Sequence, residues 1–247
     1  IIAIAEEILD RSQDIKQIAK EAHGDFSSEL RIGAIYTIAP YLLPKVIPSF
    51  QKLAPDVPII IEENYTHVLA DKLQAGELDL VILSLPFSEP NIETYPLYEE
   101  DFVAILPNKH KLAHINKPIN LQKIEDESFL LLGAGHCFRD QVLESFPKLV
   151  HMNYQSSRLQ KTFEGSSLET IRYMVSSGAG ISVFPASSLN ERDNELFTVK
   201  PLKKPTPKRT VALAWRKTFS KLQILELFKK AINELDLPHT HKVTQDK

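Results

Sequence analysis

The chain has 247 residues, 43% apolar and 25% charged, enough for one or two globular domains with a sizeable core. Its net charge of −3 gives no basic character suited to a nucleic-acid backbone, and its single cysteine rules out an internal disulfide and argues against a secreted, disulfide-stapled domain. No apolar run approaches the roughly 20 residues of a membrane span, and residues 1–4 lack the basic n-region of a signal peptide, so a cytoplasmic location is expected.

Residues 1–23 read as one helix, because Ile1, Ile8, Ile15 and Ala22 recur every seven residues with Ile4 and Ile18 on the same side. Gly24 is placed to end it. This seam predicts a helix-helix contact between copies of the chain, with packing onto its own domain as the alternative. No initiator Met precedes Ile1, so the natural N-terminus is expected upstream.

A first α/β block follows. A strand is predicted over residues 30–35, then a turn from Tyr36 to Pro40 into a helix carrying Leu42, Leu43, Val46, Phe50 and Leu53. Pro48 predicts a kink or a delayed start in that helix. Residues 58–62 read as a second strand. Thr66 is expected to cap a helix that Gly76 closes, and the apolar run at 79–83 reads as a strand buried on both faces. The βαβαβ alternation predicts a doubly wound sheet.

A second block starts near Asp101 with a strand at 102–106, a polar loop at 107–120 and a short helical turn at 121–124. The strand at 129–132 leads through Gly133-Ala134-Gly135 to a helix carrying Val142, Leu143 and Phe146. Residues 147–161 show no clear period and read as loop with weak helix. Ser166 or Ser167 is expected to cap a helix holding Leu168, Ile171, Met174 and Val175, followed by a buried strand at 181–184. A short edge strand at 196–199, a Pro/Lys connector at 200–208, a strand at 210–215 and an amphipathic helix through Leu222, Leu225, Phe228, Ile232 and Leu235 complete the pattern. The polar tail from His239 is expected to be disordered.

Two such blocks predict a two-lobed clamshell of mixed, doubly wound sheets, with chain crossings near 97–101 and 200–208. Ligands in open α/β sheets bind outside the carboxyl ends of the strands, so the cleft is the expected site. The turns facing it would hold Tyr36 to Ala39, Thr66-His67, Ser84 to Pro86, Gly133 to Cys137, and Gly165 to Ser167. Cys137 falls at the N-terminus of a helix, with His136 and Arg139 beside it; exposed backbone N–H groups and nearby positive charge favour the thiolate. A lone cysteine also reads as a small buried hydrophobe.

The stretch Ile32-Gly33-Ala34-Ile35-Tyr36-Thr37-Ile38-Ala39-Pro40-Tyr41-Leu42-Leu43-Pro44, with Gly76-Glu77-Leu78-Asp79 and Ser167-Leu168-Glu169-Thr170-Ile171, resembles the effector-binding domain of LysR-type transcriptional regulators. Gly135-His136-Cys137-Phe138-Arg139-Asp140-Gln141 resembles the peroxide-sensing OxyR branch of that family. The resemblance covers nearly the whole chain. It implies an α/β fold like the type-2 periplasmic binding proteins, preceded by the end of a linker helix at 1–23. Subdomain I would comprise 28–98 and 206–236, subdomain II 99–205, and the tail 237–247. It also implies a homodimer or homotetramer. DNA would be contacted through a winged helix-turn-helix preceding Ile1, RNA polymerase would be a partner, and no metal, cofactor or membrane would be involved.

Within the resemblance, Cys137 matches the peroxide-reactive thiol. Thr37, Thr66, His136 and Asp140 match polar groups around the peroxide site, and Arg209 matches an arginine near the sulfur. On local grounds Thr37 and Thr66 also read as caps, Asp140 as a complement to the helix dipole, and Arg209 as part of a solvated run with Lys203, Lys204 and Lys208. The family's resolving cysteine lies nine residues beyond the first, where this chain has Phe146. That leaves a sulfenate, a mixed disulfide, an intersubunit Cys137 bond, or no peroxide response. The expected function is hydrogen peroxide sensing at Cys137. The alternative is an effector domain binding a small organic metabolite in the cleft. A transporter's solute-binding protein and a thiol peroxidase are weaker readings, the latter because turnover needs a resolving thiol.

Overall fold

The computed structural model describes residues 28–125, 127–149, 162–165 and 167–243. The helix expected over 1–23, Gly24, Ser166 and the stretch 150–161 lie outside the described residues. In chain order the first lobe contributes β1 (Leu30–Ile35), α1 (Ala39–Leu53), β2 (Ile59–Asn64), α2 (Thr66–Gln74), β3 (Leu80–Ser84) and the start of β4 (Ile92–Leu106). The second adds α3 (Leu121–Glu125), β5 (Phe129–Leu132), α4 (Cys137–Ser145), β6 (Thr162–Gly165), α5 (Leu168–Ser176), β7 (Ser182–Pro185), α6 (Asp193–Leu196) and β8 (Thr198–Pro201). The chain then returns through β9 (Lys208–Arg216), α7 (Leu222–Asn233) and β10 (Thr240–His241).

The first-lobe sheet has the order β10-β4-β9-β3-β1-β2. β1 pairs in parallel with β2 and β3, while β9 runs antiparallel to β3 and β4. In the second lobe β4 pairs antiparallel with β7 and β8, β5 pairs in parallel with β6, and a bridge between Phe129 and Ile181 joins β5 to the β7 side. Two separate apolar cores result. One is built on β1, β3, α1 and α7, including Phe50 and Phe228, whose rings meet edge-on with centroids 5.3 Å apart. The other gathers Phe102, Phe129, Phe138, Phe146, Phe184 and Phe197. The fold is therefore a two-lobed α/β clamshell of mixed sheets.

Several elements differ from the sequence-based expectations. β4 is one strand of 15 residues that runs through both lobes, where a strand over 102–106 and a separate crossing were expected. α1 runs unbroken past Pro44 and Pro48. Pro40, Pro44 and Pro48 recur every four residues on its exposed face, so the carbonyls that lose their intrahelical donor point toward water. The tail is ordered at its start, since Thr240 and His241 pair with Glu100 and Glu99 of β4. Gly76 does close α2: its φ of 78° and the Glu77 N–H donating to the Lys72 carbonyl at 2.9 Å form a Schellman end. Ser167 caps α5, its Oγ accepting from the Thr170 N–H at 3.1 Å. Among the described residues no helix is long and apolar enough to cross a membrane.

Candidate functional site

Three strands of parallel pairs end at the same place. β1 leads into Tyr36 and Thr37, β2 into Tyr65 and Thr66, and β5 into the Gly133–His136 turn that opens α4. Between them lies a cavity of about 10 Å3, lined by Ile35, Tyr36, Thr37, Asn64, Tyr65, Thr66, Gly135, His136 and Cys137. That is roughly the room one water-sized molecule needs, whereas pockets for organic ligands run to about 300 Å3 and more.

Cys137 is the first residue of α4 and is partly buried; although carried by the second lobe, it packs against the core of the first. His136 is the N-cap residue, buried, with its ring against Tyr65 at 4.9 Å and Tyr36 at 5.8 Å between centroids. Tyr36 and Tyr65 meet edge-on at 5.3 Å, so the three rings brace one another around the cavity. Gly135 has φ +95°, a backbone conformation that favours glycine, and a Cβ there would lie 3.2 Å from the Tyr65 ring, a tight contact.

Thr66 is not a cap. It is the first helical residue after Tyr65, one position too late to reach the free N–H groups, and the Tyr65 N–H is already taken by Asn64 Oδ1 at 2.9 Å. Its Oγ1 is buried without a hydrogen-bond partner. Such a group costs free energy unless something occupies the cavity beside it. Thr37 is not a cap either, since Ile38 holds that position at α1. Its hydroxyl accepts from Arg209 Nη1 at 2.9 Å and its carbonyl from Nη2 at 3.0 Å.

Arg209 is the cross-strand partner of Glu100, not a solvated residue of the lysine run. The two side chains are wholly buried; Arg209 Nε donates to Glu100 Oε1 at 2.8 Å, and Glu100 Oε2 accepts the Ser187 N–H at 2.9 Å. The guanidinium also lies 5.2 Å from the centroid of Phe138, the residue after the thiol. Arg209 is thus tied to the site through Thr37 and Phe138, with its charge matched by Glu100, and is not among the lining residues. Asp140 stands exposed in the first turn of α4 and does not line the cavity. Among the described residues no group of three or more His, Cys, Asp or Glu could hold a metal ion.

Tyr36 was expected in a turn facing the cleft but given no role there, and Asn64 and Tyr65 were not expected at the site at all. Their signal in the sequence is weak: each directly follows, or ends, an isoleucine-rich strand, where the carboxyl-end rule places ligands.

The LysR substrate binding domain family model matches residues 23–235. The chain is 32% identical over 218 residues to the hydrogen peroxide-inducible genes activator of Pectobacterium carotovorum, covering 87% of this chain and 70% of that protein. It is 32% identical over 214 residues to the DNA-binding transcriptional dual regulator OxyR of Escherichia coli K12, covering 86% and 68%. Among solved structures, the reduced form of OxyR from N. meningitidis shares 41% identity with a TM-score of 0.81, over 87% of this chain and 99% of that one. A full-length OxyR variant from Pseudomonas aeruginosa shares 40% identity with a TM-score of 0.84, over 100% and 78%. These relatives are transcriptional regulators, not enzymes. The chain belongs to the LysR substrate-binding domain family and is the regulatory domain of a LysR-type regulator of the OxyR branch.

Proposed function

We propose that this domain senses hydrogen peroxide by oxidation of Cys137. The observation that carries the reading is the cavity itself. It offers about 10 Å3, one wall is the thiol, and another is the buried, unpartnered hydroxyl of Thr66. A molecule the size of water or peroxide fits; a metabolite does not. The thiolate attacks one peroxide oxygen as the O–O bond breaks. Cys137 becomes a sulfenic acid, and the other oxygen leaves as hydroxide and takes a proton to become water. Thr66 and the His136 ring are the groups placed to hydrogen-bond the peroxide, while Arg209 positions Thr37 from behind.

Oxidation cannot end in a disulfide within these 247 residues, because Cys137 is their only cysteine. The position of the family's resolving thiol is Phe146, which is fully buried in the second core with its ring 6.1 Å from that of Phe129. The signalling species is then the sulfenate, or a mixed disulfide formed from it with a small thiol or with Cys137 of another copy. The domain would act in the cytoplasm as a homo-oligomer, through DNA-binding heads that precede it and through RNA polymerase.

The test is mass spectrometry of Cys137 after modest peroxide treatment in the presence of a dimedone-type trap. A peroxide-dependent adduct on Cys137 is expected. No adduct, together with thermal stabilisation by an organic metabolite, would replace this reading with that of a metabolite-binding effector domain.

A further inference from the structure

The second lobe carries a cleft away from the thiol cavity, with a volume of about 410 Å3. It is lined by Asn120, Gln122, Ser145, Pro147, Lys148, Lys203, Lys204 and Pro205. Three lysines line it and, among the described residues, no carboxylate does, in a chain whose net charge is −3. The sequence alone read Lys203 and Lys204 as a solvated run; the fold sets them across a concave surface from Lys148, 55 residues earlier.

The walls are fixed. Lys203 follows Leu202, which is buried, and its N–H donates to the Ile119 carbonyl at 2.9 Å. Ile119 in turn donates to the Pro201 carbonyl at 2.9 Å, so the segments bearing Asn120 and Lys203 are stitched together. Lys148 sits between Phe146 and Leu149, both wholly buried, and already has a partner within the protein. Lys203 and Lys204, both exposed, are the cations the cleft offers to a ligand. Asn120 Oδ1 is occupied by the Gln122 N–H at 3.1 Å, which leaves the amide NH2 as its donor end.

We propose that this cleft binds a small, multiply charged oxyanion, either a phosphate-bearing or a polycarboxylate molecule. Its volume lies in the range of small-molecule sites, roughly 300–1,000 Å3. The backbone that carries Lys203 is held by hydrogen bonds, so the lysines stay close together, and an arriving anion relieves their mutual repulsion. The concavity favours a small molecule over an acidic protein surface. The proposal does not depend on the chemistry of Cys137.

The experiment is calorimetric titration of the 247-residue chain with inorganic pyrophosphate and with citrate, against sodium chloride at matched ionic strength. The Lys203→Gln/Lys204→Gln double variant is compared with Lys45→Gln/Lys52→Gln, which removes the same charge from the exposed face of α1. Expected is saturable binding of at least one probe, weakened about tenfold or more by the first variant and left within about twofold by the second. The stronger of the two probes identifies the ligand class. Asn120→Asp, which adds a carboxylate to the lining, should weaken binding as well and serves should the double variant fold poorly. Absence of saturable binding to both probes, or an equal loss in both double variants, would overturn the proposal.

Discussion

Thr66 holds a hydroxyl that the protein buries and does not satisfy. Replacing it by the isosteric valine removes an unpaired polar group, so Thr66→Val should leave stability unchanged or raise it by about 1 kcal/mol. Sulfenate formation at Cys137 should slow about tenfold, the loss of one hydrogen bond to a charged reacting group. Thermal melts and trap-based kinetics separate the two effects; an equal rate in the variant would remove Thr66 from the reaction. At Gly135 the expectation is reversed. Gly135→Ala must adopt a φ of +95° and press on Tyr65, so it should destabilise by about 1–3 kcal/mol and disturb the ring cluster around His136. Arg209 and Glu100 form a pair in which each justifies the other's burial. Arg209→Met alone should cost about 3–5 kcal/mol by leaving Glu100 uncompensated, while Glu100→Leu/Arg209→Met should recover most of that loss. If the double variant recovers stability but still reacts slowly with peroxide, Arg209 acts by positioning Thr37 rather than by holding the fold.

At the scale of elements, the strands and amphipathic helices were legible because each carries a local apolar pattern, a continuous run in β3 and a helical period in α1 and α7. β4 was not. Its middle reads Leu97-Tyr98-Glu99-Glu100-Asp101, which locally looks like a linker, and Pro96 sits at a register shift. Those acidic residues lie in a strand because β9 supplies their partners: Arg209 opposite Glu100, and Lys208 reaching Glu99 at 2.6 Å. Pairing over a separation of 109 residues leaves no local trace. The same reasoning explains the site. Cys137 was visible as a residue type at a helix start, but Tyr65 and Asn64 reach the cavity only because β1, β2 and β5 end together. β2 is itself an outer strand, and Ile60 and Ile61 on it are 46% and 45% exposed. An exposed apolar edge is a template for another chain. Ile60→Lys should therefore weaken self-association in sedimentation experiments while changing stability by no more than about 0.5 kcal/mol. Unaltered assembly would place the contact between copies elsewhere.

The whole molecule is two cores threaded by one strand and clasped by residues that cross. Cys137 leaves the second lobe to pack on the first core, and Tyr41 leaves the first to pack on the second. The Tyr41 hydroxyl donates to Glu169 at 2.8 Å; burial and then the Glu169 charge push its phenol well up, so it remains a neutral donor. One turn beyond the thiol, Gln141 donates to Ser84 Oγ at 2.9 Å and to the Leu85 carbonyl at 3.2 Å in the first lobe. α4 is therefore the strut that docks the second lobe on the first, and its docked end carries the Cys137 sulfur. The size of the cavity sets the consequence. A sulfenic oxygen occupies about the space of a water and can be accommodated there, whereas a bulkier thiol adduct cannot, and must lift the start of α4 from the first lobe. Hydrogen exchange reads this directly. With peroxide alone, the amides of Leu85 and of 137–141 should keep their protection; with peroxide and glutathione together, those amides should exchange faster while the β1 and β3 amides hold. Tyr41→Phe removes the second clasp, worth about 1 kcal/mol, and should enlarge the glutathione-dependent change without altering the rate of sulfenate formation. Full protection at 137–141 in a protein whose mass shows the adduct would mean that α4 tolerates the group in place, and the link from thiol to lobe arrangement would have to run through the Arg209–Thr37 pair instead.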